Sequence, residues 1–233
     1  MRNTLSEGRQ VRPTFLENLR RRPDRGAALA SYRVLAARYD ASCRWLDTVR
    51  EEMLPLLALR EGDAVIDVGC GTGTMLPALG RAVGERGHVV GVEQSPEMAA
   101  LAVRTVAGSG LRNVRVVVAP VEEARIELVA DALLFCYTHD ILQSERALAN
   151  VMACARPGAR VVVAGNRLLG WWAAPVNLWK LWRSRRYLST FCGLRDPAGK
   201  LRSYCPDLRV VATRSLGTSY LAVGRCAALK RRR

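Results

Sequence analysis

The stretch Asp63-Ala64-Val65-Ile66-Asp67-Val68-Gly69-Cys70-Gly71-Thr72-Gly73 carries the clearest structural signal in this chain. It begins with a short apolar run, which is typical of a buried strand, and continues into three alternating glycines before a predicted helix. Glycine adopts backbone dihedrals that are closed to other residues, and it lets a ligand approach the main chain closely. At the end of a first parallel strand, such a turn predicts a site for a nucleotide-like ligand.

The spacing of the glycines and of a downstream carboxylate narrows the class of ligand. The glycines follow the pattern G-x-G-x-G, whereas the pattern G-x-G-x-x-G seats a dinucleotide pyrophosphate. The next predicted strand ends at Glu93, twenty residues after Gly73, where its carboxylate can accept hydrogen bonds from both ribose hydroxyls. We therefore expect a ligand that contains ribose and lacks phosphates.

Short runs rich in valine, isoleucine and leucine recur along the chain, separated by segments long enough for crossover helices. The predicted parallel strands are residues 64–68, 88–92, 114–118, 132–136 and 160–164. Two final strands, 208–213 and 219–225, are too close for a crossover helix, so they should pair antiparallel. We predict an α/β fold with an open, mainly parallel seven-stranded sheet, helices on both faces and an antiparallel last strand.

These features resemble the class I S-adenosylmethionine-dependent methyltransferases over roughly residues 31–225. Residues 65–73 resemble the first motif of that family, Glu93 its ribose-binding acid, and residues 156–163 its turn into strand five. The resemblance implies a Rossmann-like methyltransferase fold and S-adenosyl-L-methionine as cofactor. It implies cofactor contacts from Tyr32, Tyr39, Asp67, Gly69, Cys70, Gly71, Thr72, Gly73, Glu93, Gln94, Ser95, Met98, Pro120, Val121, Glu122 and Tyr137.

The chain departs from the family pattern after two strands. Pro120 follows the third strand, where many members carry an acid that accepts from the adenine amino group. Proline offers no side-chain acceptor, so the backbone of Val121 or the side chain of Glu122 should contact adenine. Tyr137 follows the fourth strand, where related enzymes often carry a small polar residue.

Three side chains after the fourth strand are candidate catalytic residues. His139 can take a proton from an acceptor near pH 7, or it can support the local structure. Asp140 is expected to cap the next helix, with an ion pair to a substrate amine as the alternative. Tyr137 is expected to place its ring against the sulfonium of the cofactor.

Residues 166–206 contain four of the five tryptophans and are predicted to cap the sheet edge. Aromatic walls suit a planar or cationic substrate, although a helix that packs its apolar face would explain the same spacing. We expect the tryptophan side chains to be buried on one face of this segment. The candidate substrate residues are Trp171, Trp172, Asn177 and Trp179.

The composition of the chain excludes some classes of protein and predicts its location. Apolar residues make up 49% of 233, which excludes a mainly disordered chain. No apolar run is long enough for a membrane span, so we expect a cytoplasmic protein. The seven cysteines never form C-x-x-C, so we expect reduced thiols and no metal site. We divide the chain into a basic arm at 1–30 with one short helix at 14–21, a main domain at 31–229 and a basic tail at 230–233.

The predicted function is methyl transfer to a small molecule by in-line displacement. An alternative is attack on the aminocarboxypropyl arm of the cofactor, by an acceptor or by its own amine, which releases methylthioadenosine. A nucleic-acid methyltransferase would explain the net charge of +15, but the charge is mostly arginine spread along the chain, and no Asn-Pro-Pro-aromatic motif for flipped bases is present.

Overall fold

The computed structural model describes residues 23–228 of the chain. Its helices are α1 (Arg25–Leu35), α2 (Tyr39–Cys43), α3 (Asp47–Leu56), α4 (Leu76–Val83), α5 (Pro96–Ser109), α6 (His139–Leu142), α7 (Glu145–Ala153) and α8 (Ala174–Ser184). Its strands are β1 (Ala64–Val68), β2 (His88–Glu93), β3 (Val114–Val118), β4 (Ala130–Cys136), β5 (Ala155–Asn166), β6 (Arg209–Arg214) and β7 (Ser219–Arg225). Short 3-10 turns lie at Ala36–Arg38, Arg44–Leu46, Trp171–Ala173 and Lys200–Ser203.

The strands form one seven-stranded sheet in the order β3-β2-β1-β4-β5-β7-β6. The pairs among the first five strands are parallel, and β7 runs antiparallel to both β5 and β6. Successive residues of a strand point to opposite faces, so Val65 joins an apolar cluster on one face and Ile66 joins the cluster on the other. The predicted fold class is confirmed.

Local capping fixes where the helices begin. The Asp24 carboxylate accepts from Ala27 N at the start of α1, and the Ser95 hydroxyl accepts from Met98 N at the start of α5. These side chains satisfy amide donors that have no partner within the helix. As a result, α1 begins at Arg25, inside the stretch that we predicted to be a loose arm.

The structure changes several predicted boundaries. Strands β4 and β5 begin earlier than predicted, because Ala130 pairs with Ala155 before a register shift. Apolar residues at helical spacing between Tyr32 and Leu57 predict two helices before β1, but the structure has three, α1, α2 and α3, because the backbone bends at Arg38 and at Cys43. The predicted helix at 14–21 and the basic tail lie outside the described residues.

Two observations concern location and metal binding. Between residues 23 and 228, no helix is long and apolar enough to cross a membrane. In the same part of the chain, histidine, cysteine and acidic side chains form no cluster of three that could hold a metal ion. The cytoplasmic location and the division into arm, domain and tail stay predictions.

Candidate functional site

A cavity of about 290 Å³ lies at the carboxyl ends of β1, β2 and β4, and we call it the cofactor cavity. Thirteen of the predicted cofactor and catalytic residues line it, among other side chains. They are Tyr32, Tyr39, Gly69, Gly71, Glu93, Gln94, Met98, Pro120, Val121, Glu122, Tyr137, His139 and Asp140. The parallel register brings these positions together, because the ends of β1, β2 and β4 lie side by side.

The three glycines after β1 have positive φ angles but different surroundings. A Cβ at Gly71 would meet only Met98 Cε, at 3.7 Å, so this position leaves open space beside the main chain. A Cβ at Gly73 would lie 2.9 Å from the Ala102 backbone, and one at Gly69 would lie 2.7 Å from Thr138. Gly71 therefore provides the exposed backbone, whereas Gly73 allows α5 to pack closely.

The Glu93 carboxylate is buried and held by two backbone amides. Its Oε2 accepts from Gly71 N at 3.0 Å, and its Oε1 accepts from Ser95 N at 2.8 Å. Burial raises the pKa of Glu93, and these hydrogen bonds oppose the rise. A carboxylate has about four acceptor positions, so two amide donors leave capacity for two hydroxyl donors from the cavity.

Five of the predicted cofactor residues do not line the cavity. Asp67 is buried in the central strand, and burial raises its pKa to about 7, partly offset by the charge of Arg50. Thr72 donates to Asp40 Oδ1 at 2.6 Å and so joins the glycine turn to α2. The other three, Cys70, Gly73 and Ser95, lie in the turn or at the cap of α5. These five residues lie behind the side chains that line the cavity.

The segment after β3 forms one end of the cofactor cavity. This is the segment that we predicted to contact adenine. Asn150 Nδ2 donates to the carbonyls of Val121 and Ala124, at 2.7 and 2.9 Å. Ser144 Oγ donates to Glu122 Oε1 at 2.7 Å. Both bonds anchor this segment to α7, which holds Val121 and Glu122 at the cavity wall.

His139 and Asp140 are both buried and linked to the segment after α8. His139 Nε2 lies 2.9 Å from the Cys192 carbonyl, which can only accept, so Nε2 carries the proton. Burial lowers the pKa of His139 to about 4, which keeps the ring neutral near pH 7 and makes it a weak proton acceptor. Asp140 Oδ2 accepts from Ser189 N and Oγ, at 3.0 and 2.6 Å.

The expectation that Asp140 caps a helix is wrong. Thr138 occupies the N-cap of α6, and Asp140 lies inside the first turn of that helix. Its carboxylate instead holds Ser189, and Ser189 Oγ also accepts from Asp24 N at 2.9 Å. This chain of bonds ties the start of α1 to the edge of the sheet.

Tyr137 has a left-handed backbone, with φ of 58°. Such a conformation costs a bulky residue about 1–3 kcal/mol and is common at binding sites. The ring makes an edge contact with Trp45, with centroids 5.2 Å apart, and the hydroxyl is hydrogen-bonded to Ser219 Oγ. The Tyr137 side chain is therefore fixed between two segments at the cavity wall.

Beyond Tyr137 lies a second cavity of about 340 Å³, which we call the acceptor cavity. Tyr32, Tyr39, Tyr137, Tyr187 and Leu188 line both cavities and form their common wall. The remaining lining includes Trp45, Asn166 and Trp182 together with four basic side chains, those of Lys180, Arg183, Arg185 and Arg186. No aspartate or glutamate of residues 23–228 lines it.

Lys180 is the functional candidate that the sequence reasoning missed. Its side chain is buried, and its ammonium makes no ion pair or hydrogen bond with any described residue. Nζ lies 5.9 Å from the centre of the Trp45 ring. Burial and repulsion from Arg183 lower the pKa of Lys180 to about 8. One signal was available, because only three lysines occur in this arginine-rich chain.

The candidate substrate residues occupy other positions. Trp171, Trp172, Asn177 and Trp179 line neither cavity, and the expectation of a buried face for the tryptophans is wrong. Asn177 instead bonds the Leu169 backbone, at 2.9 and 3.0 Å, and so fixes the turn before α8. The covering of the cofactor cavity comes from α1, α2 and the segment around Tyr187.

Comparisons with known proteins agree with this geometry. Residues 65–158 match the family described as "Methyltransferase domain". The matched region is thus a methyltransferase domain. S-adenosylmethionine is the cofactor of that family, and the glycine turn and Glu93 lie within the matched region.

The curated relatives of this chain have names that refer to different substrates. The chain is similar to "Protein-L-isoaspartate O-methyltransferase 1" of Archaeoglobus fulgidus, with 44% identity over 28% of this chain and 31% of that protein. It is also similar to "23S rRNA (uracil(1939)-C(5))-methyltransferase RlmD" of Acinetobacter baylyi, with 44% identity over 29% of this chain and 15% of that protein. The chain thus spans less than a third of the length of these two relatives.

A solved structure shows the same fold. The SAM-dependent O-methyltransferase of Thermotoga maritima superposes with a TM-score of 0.57 and 20% identity. The superposition covers 79% of this chain and 66% of that chain.

The residues of the cofactor cavity fit S-adenosylmethionine. Glu93 keeps acceptor positions for ribose hydroxyls, and the open space at Gly71 admits a ligand against the backbone. Within the described chain, buried Thr138 Oγ1 and Asp140 Oδ1 have no hydrogen-bond partner, and both residues line this cavity. Polar groups of a ligand would satisfy them.

Proposed function

We propose that this protein transfers the methyl group of S-adenosylmethionine to a small-molecule acceptor held in the acceptor cavity. The observation that carries the proposal is the common wall of the two cavities. A cofactor in one cavity and an acceptor in the other would meet at Tyr39 and Tyr137. An acceptor recess of about 340 Å³ lies at the lower end of the roughly 300–1,000 Å³ typical of small-molecule sites.

The cofactor, when bound, supplies a methyl carbon that its sulfonium has already activated for displacement. The work left to the protein is to orient the reactants and exclude water. We assign the ribose to Glu93 and the base to Val121 and Glu122, which anchors the donor at two points. Tyr32 and Tyr187 cover the site, and the Tyr32 hydroxyl donates to the Tyr187 carbonyl at 3.2 Å.

His139 is assigned a positioning role. The proton on Nε2 holds the Cys192 carbonyl, and the lowered pKa makes the imidazole a poor general base near pH 7. Tyr137 remains protonated, because burial raises its pKa to about 12. These two residues therefore shape the site instead of carrying the proton of the acceptor.

The charges of the acceptor cavity favour an anionic acceptor with a planar apolar body. Lys180, Arg183, Arg185 and Arg186 provide positive charge, and no carboxylate of the described chain opposes it. The Lys180 ammonium makes no ion pair within residues 23–228, so an anionic acceptor would supply its counter-ion. The cationic substrate considered from the sequence would be repelled here, whereas an aromatic carboxylate would pair with Lys180 and pack against the rings.

The experiment is an incubation of the protein and cofactor with three kinds of acceptor: aromatic carboxylic acids, RNA, and a peptide that contains isoaspartate. Chromatography then identifies the nucleoside product. S-adenosylhomocysteine that appears with an aromatic acid supports the proposal. S-adenosylhomocysteine that appears only with RNA or peptide overturns the acceptor class. Methylthioadenosine without S-adenosylhomocysteine overturns methyl transfer itself and favours chemistry on the aminocarboxypropyl arm.

A further inference from the structure

The outward face of α8 and of the turn before it carries large apolar side chains. Trp171 is 84% exposed, Trp172 70%, Leu178 60%, Trp179 51% and Trp182 59%. We call these five side chains the tryptophan face. Trp182 lies four residues after Leu178 and three after Trp179, so these side chains share one side of the helix.

The opposite side of α8 is the buried one, and it carries polar groups. Lys180, Leu181 and Ser184 are buried there. A helix of a globular protein normally turns its apolar side inward and its charged side to water. In α8 this order is inverted, because the largest apolar side chains point away from the protein.

Positive charge lies at the C-terminal end of the tryptophan face. Arg183, Arg185 and Arg186 follow Trp182 and are exposed. Two of these guanidinium groups lie over indoles, Arg183 at 5.9 Å from the Trp179 ring centre and Arg185 at 4.6 Å from that of Trp182. The sequence between Glu145 and Asp196 contains no acidic residue, and the whole chain has a net charge of +15.

We propose that the tryptophan face binds the surface of an anionic lipid bilayer. Indole rings are favoured at the level of lipid headgroups, because the ring is apolar and its N–H can bond to polar groups. An interfacial helix of this kind has arginines beside an apolar face and lies in the plane of the membrane. A contiguous exposed apolar area marks an interaction surface, and the arginines select a negatively charged one.

This binding does not depend on the proposed reaction, but it affects where an acceptor would come from. Trp182, Arg183, Arg185 and Arg186 belong to α8 or its end and also line the acceptor cavity. A bilayer against the tryptophan face would therefore lie next to that cavity. An amphiphilic anion would reach Lys180 from the membrane surface without crossing much water.

The test is co-sedimentation of the full chain with vesicles, without cofactor. One vesicle type is pure phosphatidylcholine, and the other contains about one third phosphatidylglycerol. We expect roughly tenfold stronger binding to the anionic vesicles, and weaker binding at higher salt because the charges are screened. The double variant Trp171→Ser with Trp179→Ser should bind about tenfold more weakly.

A matched control removes two exposed apolar side chains elsewhere, by Val103→Ser with Val129→Ser, and should bind as the unaltered protein does. Circular dichroism and cofactor titration confirm that each variant is folded. Equal binding to both vesicle types, or full binding by the tryptophan variant, overturns the proposal. The proposal is also overturned if the unaltered protein is a dimer and the tryptophan variant is a monomer, because the face would then bind a second copy of the chain. It is overturned as well if the protein binds RNA and not vesicles, because the face would then bind a nucleic acid.

Discussion

The ammonium of Lys180 lies 5.9 Å from the centre of the Trp45 indole ring, with no anion of the described chain beside it. A cation over an aromatic face gains about 0.5–2 kcal/mol. That contact leaves the positive charge of Lys180 without a counter-ion among residues 23–228. The arrangement thus leaves Lys180 ready to pair with an anion in the acceptor cavity.

Lys180→Met should remove the preference for anionic acceptors. Methionine keeps most of the side-chain volume and loses the charge. In a thermal-shift or calorimetric panel, we expect the unaltered protein to bind aromatic carboxylates more tightly than their methyl esters, by about 1–3 kcal/mol. The variant should bind acid and ester alike.

Lys200→Met is the control for this change, because Lys200 is exposed and donates to Glu145 and to the Gln143 carbonyl. It should keep the preference for acids. An unchanged preference in Lys180→Met would show that the arginines, and not Lys180, recognise the anion.

Gly73→Ala should destabilise the protein more than Gly110→Ala. Both glycines have positive φ, 75° and 71°, so both substitutions strain the backbone. A Cβ at Gly73 also meets the Ala102 backbone at 2.9 Å, whereas nothing lies within 4 Å of one at Gly110. We expect an additional loss of about 1–3 kcal/mol in the free energy of unfolding for Gly73→Ala, measured by urea denaturation. Equal losses would show that the close packing of α5 does not matter.

Asp67→Asn should stabilise the protein, and more so at high pH. Burial raises the pKa of Asp67 to about 7, well above its usual value of 3.8. In the unfolded chain this carboxyl ionises at lower pH, so the stability that it contributes is lost as pH rises from about 4 to 7. Asparagine does not ionise. Its advantage in the free energy of unfolding should be larger by about 2–3 kcal/mol at pH 8 than at pH 5.

Chemical denaturation at the two pH values measures this difference. The variant Asp131→Asn controls for general effects of removing a carboxylate, because Asp131 pairs with Arg156. An advantage of Asp67→Asn that is the same at both pH values would contradict a raised pKa.

The sequence predicted the fold, and it predicted that the glycine turn and Glu93 lie together at the ends of neighbouring strands, because both depend on local geometry. Glycines that require positive φ, and Glu93 at a fixed distance along the next strand, leave few other arrangements. The position of Lys180 depends on which side of α8 faces the protein, and periodicity alone does not determine that. An apolar helical face is normally assigned to the core, so the tryptophans were expected inside. The segments that pack against α8 produce the opposite orientation.

The role of Asp140 could also not be predicted from the residues next to it in the sequence. An acidic residue before an apolar pair is a common helix cap, but Thr138 takes that position and Ser189, distant in sequence, provides the partner of Asp140. Contacts between distant segments are not visible in a single sequence. The acceptor cavity was missed for the same reason, since its walls come from α2, α8 and the turn at Tyr137.

The most direct test of the cofactor site is a calorimetric titration of S-adenosylmethionine into the protein and two variants. Glu93→Ala removes the buried acceptor, and Glu97→Ala removes a nearby carboxylate that pairs instead with Arg33. We predict that the unaltered protein and Glu97→Ala bind the cofactor equally well. Glu93→Ala should lose about 1–3 kcal/mol for each ribose hydroxyl that is left unpaired. Unchanged affinity in Glu93→Ala would contradict the assignment of this cavity to the cofactor.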